Sequence, residues 1–431
     1  MSPSLCVAAF ERWIGFLFLL DALCLWKKFD LFFGPRTDGH TWFNAPGRNA
    51  AGITFWIVCA TVMMTHALGD AGTLLAAAGF CVLHRHLYVS HRVTSVLGGA
   101  GAVGYMSYVV AALGCVLQAL VMLGETPWDP GYYLLTHTLA AFRVLMGGIL
   151  IISAVYKWKL GYGSGEGIEY ALVNPMWSRF SAAFYALPHG TWWLRGFSRT
   201  LPGLHALSGI LLIIPATQQV GAGLFFLAFL GALLLIHTAI LPGVMMGIAT
   251  LYYWLPDAAV TAPSAVHLAG AVTLWGLAAA SVGLMVAQIF LVFGGMTLTP
   301  AGIVRFDRVF HAIPLFTWAV FTQDICGSYL TCHVAPAPAP EEFRPDFWFH
   351  HHEASMQLNT IFSVSGAFHA GAQVQALHHM LRHCRALHAT PHPEVMLACV
   401  VLQKGATHFS RHVAWRAQVN LQTSQVVMLQ Q

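Results

Sequence analysis

Up to about residue 300 the chain alternates long apolar runs with short basic, glycine- or proline-bearing breaks. A helix crossing a bilayer needs about 20 apolar residues at 1.5 Å each, and the runs predict such helices in order. Trp13 to Trp26 forms the heart of the first, with Asp21 inside it; a carboxylate at that depth is costly and should face the bundle. The basic, aromatic loop Lys27 to Arg48 follows, and its stretch WKKFDLFFGPR reads as a short interfacial element. Ala51 to Leu68, Gly72 to Leu83, Leu97 to Leu123 and Tyr133 to Tyr156 are the next spans. From Gly165 to Arg199 the pattern is mixed, with Arg179, His189, Arg195 and Arg199 among apolar residues at helical spacing, which predicts interfacial or re-entrant helix. Leu204 to Ala216, Gly223 to Ile236 with Ala239 to Trp254, and Val266 to Phe293 complete the series. The total is about eight or nine spans, according to whether Pro242 kinks one helix or separates two.

Polarity changes after Pro300. APAPAPEEFRP reads as an extended proline-rich linker, Met356 to Leu387 as a helix, and Val395 to Leu402 and His412 to Leu421 as strands, the second alternating around Val413, Trp415 and Val419. The predicted architecture is an all-α polytopic membrane bundle over residues 1–300, followed by a linker and a small extramembrane α+β tail over residues 301–431.

Composition supports a membrane protein. Of the 431 residues, 57% are hydrophobic and 9% charged, against about 25% charged in soluble domains; the mean hydropathy is +0.65. The net charge of +4, without a dense Lys/Arg run, speaks against nucleic acid as a partner and leaves membrane lipid as the expected surroundings. The nine cysteines form no CxxC pair, so they carry no zinc or redox signature, although Cys326 and Cys332 flank a short segment and could bridge. The N-terminal run lacks a basic leader and a small-residue cleavage site and reads as a retained span. The chain is expected to be integral to an endomembrane or the plasma membrane.

The chemistry-bearing stretch runs from Phe142 to Phe180, FRVLMGGILIISAVYKWKLGYGSGEGIEYALVNPMWSRF. Two lysines beside Tyr156 and Trp158 suit snorkelling anchors. An inward-facing lysine would instead lose solvation and become available as a base. Lys157 and Lys159 are about 200° apart around a helix, so they cannot both face the same way.

The order Arg143, apolar helix, Lys-Leu, glycine turn, then Gly167, Glu169, Tyr170, Leu172 and Trp177 resembles the membrane core of the vitamin K-dependent γ-carboxylase and its bacterial relatives, the horizontally transferred transmembrane domain (HTTM) family. His237, Gly247 and Tyr252 fall into the same family's later pattern. The likeness covers roughly residues 10 to 255 and is best between 142 and 255. It implies a membrane enzyme of the lyase or oxygenase kind, with a lysine base in a pocket that takes a quinol or another lipid-soluble substrate. Lys159-Leu160 is the better match to the family's base. Here the turn is shorter and lacks the tryptophan, so both Lys159 and Lys157 stand as candidates. His237 would be a polar neighbour, and Arg143, Tyr156, Glu169, Tyr170 and Trp177 would surround the substrate. A reduced quinone like vitamin K hydroquinone is the implied cofactor, with O2 and CO2 as co-substrates if carboxylation occurs. The large extramembrane domain that engages protein substrates in the animal carboxylase has no counterpart here.

Two other classes compete. The clusters His84, His86 and His91, then His350, His351 and His352, then His378, His379 and His383 resemble the histidine boxes of di-iron membrane hydroxylases and desaturases. They lie far apart, and His378 diverges from the helix face shared by His379 and His383, so they read as incidental surface histidines with no metal site assigned. A transporter or assembly protein would use intramembrane ionisable residues equally well.

Overall fold

A computed structural model of the chain describes residues 2–27, 46–84, 101–124, 130–158, 162, 167–189, 191–237, 240–255, 265–293, 327–334, 340–342, 394–420 and 426–430. It is mostly helical, with a small antiparallel sheet near the C-terminus.

The apolar runs become α1 (Pro3–Lys27), α2 (Pro46–Thr65), α3 (Gly69–His84), α4 (Gly101–Leu123) and α5 (Pro130–Lys157). The mixed segment gives α6 (Gly167–Val173) and α7 (Ser181–Ala186), and then α8 (Trp192–Ile213), α9 (Gln218–Leu235), α10 (Leu241–Trp254) and α11 (Ala265–Phe293) follow. Pro46 and Pro130 open their helices, where a missing N–H costs nothing. Pro242 does the same for α10: it separates two helices and does not kink one. The expected boundary between an interfacial segment and a span near Leu204 is absent, because α8 runs unbroken through Pro202 for 22 residues.

Each long helix packs on its sequence neighbour from α1 to α5; α5 packs on α8, α8 on α9, α9 on α10, and α10 returns to α1. The ring closes through Trp13, whose indole N–H donates to the Gly243 carbonyl of α10 at 2.8 Å. α11 lies outside the ring against α5. Among the described residues, two stretches have both the length and the apolarity to cross a bilayer, Gly131–Val155 and Pro215–Leu235, of 25 and 21 residues. At 1.5 Å per residue each exceeds the roughly 30 Å of hydrocarbon. Four further apolar helices are shorter, and α1 carries Glu11, Arg12 and Asp21, so the expected eight or nine crossings are not reached on this measure.

The sheet has the order β2-β1-β3-β4-β5, from β1 (Ser328–Val334), β2 (Glu341–Glu342), β3 (Glu394–Lys404), β4 (Phe409–Asn420) and β5 (Val426–Gln430). The two strands expected from alternation are β3 and β4, which pair as a hairpin. Val413 departs from the expected pattern: it is exposed while Trp415 and Val419 are buried. Val413 pairs with Val400 and Trp415 with Cys399, so Ala414 is an extra residue, a bulge that moves Trp415 onto the face of Leu397. Phe409 stays on the opposite face, with Val400 and Leu402, and these join Tyr170 and Val173 of α6 in one buried cluster. The predicted helix Met356 to Leu387, Cys326 and most of the linker lie outside the described residues, but Glu341 and Glu342 of the linker form β2, paired with Cys332 and Thr331 of β1, and Cys332 is buried.

Candidate functional site

The site forms where the end of α5 meets the first half of α8. Ser153 and Lys157 are one helical turn apart and share a face. Helical side chains lean toward the N-terminus, so the Lys157 amine folds back along α5 and lies 2.9 Å from Ser153 Oγ. It also lies 3.3 Å from His205 Nδ1 on α8. All three residues are buried. Among the described residues no carboxylate is paired with Lys157.

Two glycines make this approach achievable. A Cβ added to Gly147 of α5 would stand 2.7 Å from the Gly209 carbonyl oxygen, and one added to Gly209 would stand 2.6 Å from that of Gly147. The helices therefore cross backbone to backbone. His205 is one turn before Gly209, and the folded-back amine of Lys157 comes down to meet it.

Beside the pair is a cavity of about 60 Å³, whose walls include Tyr162, Phe197, Leu201, Phe229, Ile236 and Pro242. Tyr162 is fully buried and lies over Gly167, the first residue of α6, where any Cβ would collide with the ring. Lys157 and His205, with Tyr162, are the polar residues in the lining of an otherwise apolar chamber. Lys157 sits two residues past the apolar stretch Gly131–Val155, and burial lowers its pKa from 10.5 to about 7. Its immediate polar neighbours are Ser153 Oγ and the Nδ1 of His205.

The other expected residues are distributed as follows. His237 is buried just after α9; its backbone N–H donates to the Trp177 carbonyl at 2.6 Å, and Ser178 and Ile236 form a bridge beside it. Burial and the nearby Arg179 charge lower its pKa to about 4, so it is a neutral imidazole. Its neighbour Ile236 lines the cavity, but His237 does not. Arg143 is 14 residues before Lys157, about 21 Å along α5. It donates to Gln218 at the start of α9, and Gln218 in turn donates to the Leu255 carbonyl at the end of α10, at 2.9 Å. The guanidinium thus sits by a helix C-terminus, where a cation is favoured.

Glu169, Tyr170 and Trp177 do not line the cavity. Glu169 is buried 3.6 Å from the Lys404 amine of β3, and Tyr170 meets Phe409 of β4 edge to face at 5.0 Å. They attach α6 to the sheet, helped by Asn174, whose amide donates to the Ser328 carbonyl at 2.9 Å. Tyr156 belongs to α5 but its side chain is not described; Lys159 and the three histidine clusters fall outside the described side chains. Among the described residues no group of three or more His, Cys, Asp or Glu is arranged to hold a metal ion.

Sequence reasoning missed Ser153, His205 and Tyr162. His205 carried a usable signal, an ionisable residue inside the apolar run Leu204 to Ala216, the same signal that singled out His237. Comparison with family models, curated proteins and solved structures finds no match for this chain.

Proposed function

We propose that the chain is a membrane-embedded enzyme of the vitamin K-dependent carboxylase-like kind, in which Lys157 is the base. The observation that carries this is a buried amine, without a paired carboxylate, opening on an apolar cavity beside a histidine. In its neutral form that amine accepts a proton from a weakly acidic hydroxyl, leaving an ammonium beside the new oxyanion. His205 orients the amine, and the apolar walls exclude water from the ion pair.

A reduced quinone fits this donor set in chemistry: an aromatic hydroxyl for the amine, and rings and aliphatic side chains for the rest. It fits less well in size, since about 60 Å³ is below the roughly 300 Å³ usual for a site enclosing a drug-sized ligand. Only the hydroxyl edge reaches Lys157 unless Phe197 and Phe229 shift. When bound, such a quinol would supply the reducing chemistry with O2; the chain's own residues bind it, shield it and take its proton.

The test is reduced-naphthoquinone-dependent oxygen uptake by the full chain reconstituted in vesicles. Uptake that falls by about 100-fold or more in Lys157→Ala, and is largely kept in Lys159→Ala, supports the assignment. No uptake from a folded, integral protein overturns it. Stoichiometric iron in that sample would point to the histidine-box alternative, and neither quinone nor metal to transport or scaffolding.

A further inference from the structure

Glu11 of α1 is 1% exposed, and no described residue hydrogen-bonds either of its carboxyl oxygens. Among the described residues it makes one ion-pair contact, with His66, whose Nε2 stands 3.7 Å from Oε2 and likewise has no hydrogen bond. The approach is close because α1 lies tightly on α2: a Cβ on Gly15 would stand 2.6 Å from the Met64 backbone nitrogen. From α4, Gly114 faces the carboxyl, and an added Cβ there would stand 3.9 Å from Oε1. His66 follows α2 directly in a left-handed turn, φ 53°, the one positive φ outside glycine among the described residues. Its N–H donates to the Val62 carbonyl at 2.8 Å, and its own carbonyl accepts from the Gly69 N–H at 3.0 Å. That backbone state is uncommon for a residue with a Cβ, and it lays the imidazole over the buried carboxyl. The His66 side chain is 10% exposed, while Ala67 to Asp70 beside it are exposed. The ring therefore stands between Glu11 and the outside.

A carboxylate without hydrogen bonds in such surroundings is far costlier than the neutral acid. The other ionisable groups near the pair are Arg12 of α1, Asp70 of α3 and Cys115 of α4. α10, which also packs on α1, carries the exposed Tyr253 and Tyr252, whose hydroxyl donates to the Leu139 carbonyl at 2.9 Å. None of these groups hydrogen-bonds Glu11. The pair is also remote from Lys157. The Lys157 cavity reaches Leu241 and Pro242 at the start of α10, whereas Cys6, in the turns of α1 just before Glu11, meets the Trp254 carbonyl at the end of α10.

We propose that Glu11 and His66 form a proton-binding site, in which Glu11 holds the proton as a neutral acid and His66 passes it to and from the outside at the turn between α2 and α3. Buried carboxyl and imidazole groups in sequence serve proton relays in other apolar surroundings. The site does not depend on Lys157 chemistry, and it lies at the other end of the bundle.

The test is infrared spectroscopy of the full chain in vesicles, reading the C=O stretch of a protonated carboxyl group. A band that Glu11→Gln removes should be present at neutral pH and lost in alkaline buffer. Glu11→Asp, which keeps an acid one methylene shorter, should move that band and not abolish it. On transfer to D2O the band shifts as the proton exchanges, and His66→Asn should slow this exchange by about 100-fold. Asparagine accepts the left-handed turn, and added imidazole should restore the rate. The absence of any Glu11-dependent band at neutral pH overturns the proposal. Exchange at the wild-type rate in His66→Asn, or slow exchange that imidazole does not restore, overturns it as well.

Discussion

Gly147 and Gly209 face each other across α5 and α8 with no room for a methyl group: each Cβ would fall 2.6 to 2.7 Å from the other residue's carbonyl oxygen. Backbone cannot rotate aside as a side chain can, so the helices would have to part. Gly209→Ala is expected to destabilise the chain by about 1–3 kcal/mol and to separate Lys157 from His205. Gly223→Ala on α9, where an added Cβ meets nothing within 4 Å, serves as the control. Thermal unfolding of the two variants in the same detergent decides the matter; equal midpoints would refute the close crossing.

Burial of Lys157 makes stability depend on pH, with a definite sign. Its pKa falls from 10.5 to about 7 on folding, so between those values the unfolded chain binds more protons and stability rises with pH. The penalty is fully present below about pH 7 and disappears as pH passes 10.5. Lys157→Met should therefore be more stable than the wild type at pH 6, by an upper limit of roughly 5 kcal/mol, and the gap should close as the pH is raised toward 10. A gap independent of pH would mean that the amine is solvated.

Glu169 is 1% exposed, and the Lys404 amine stands 3.6 Å away. Removing one member of such a pair costs up to roughly 3–5 kcal/mol when both are buried. Lys404 is 19% exposed, so Lys404→Ala should fall at or below the lower end. Glu169→Gln combined with Lys404→Ala should recover most of the loss. A double-mutant cycle read by unfolding measures the coupling, and additive losses would show that the two do not interact.

Ala414 is the extra residue of the β4 bulge, placed between the pairs Val413–Val400 and Trp415–Cys399. Deleting it forces either Phe409 or Trp415 onto the wrong face, since a one-residue shift reverses every side chain beyond it. Hydrogen exchange of the β3 and β4 amides should speed up in the deletion variant. Ala414→Ser, which keeps the residue count, should leave exchange as it was.

A pH profile of the proposed oxygen uptake offers a further check. The neutral amine is the active form, so activity should rise through about pH 7, the value to which burial brings Lys157. A profile falling through that pH would assign the proton to a different group.

The sequence by itself determined the helices of the apolar runs and the strands β3 and β4, because apolar periodicity and alternation are local properties that the backbone must satisfy wherever the chain goes. It also marked Arg143, Lys157 and His237, since an ionisable residue in or beside an apolar run is anomalous whatever surrounds it. Pairings across the chain were not legible. His205 meets Lys157 from 48 residues away, and they meet only because two glycines, unremarkable in their own runs, happen to face one another. Trp415 looked equivalent to Val413 until the bulge reversed it, and Glu169 looked like a pocket residue until a lysine from β3 reached it. Local pattern decides which face of an element is apolar; which faces meet depends on helix crossings and strand register, and these the tertiary structure alone decides.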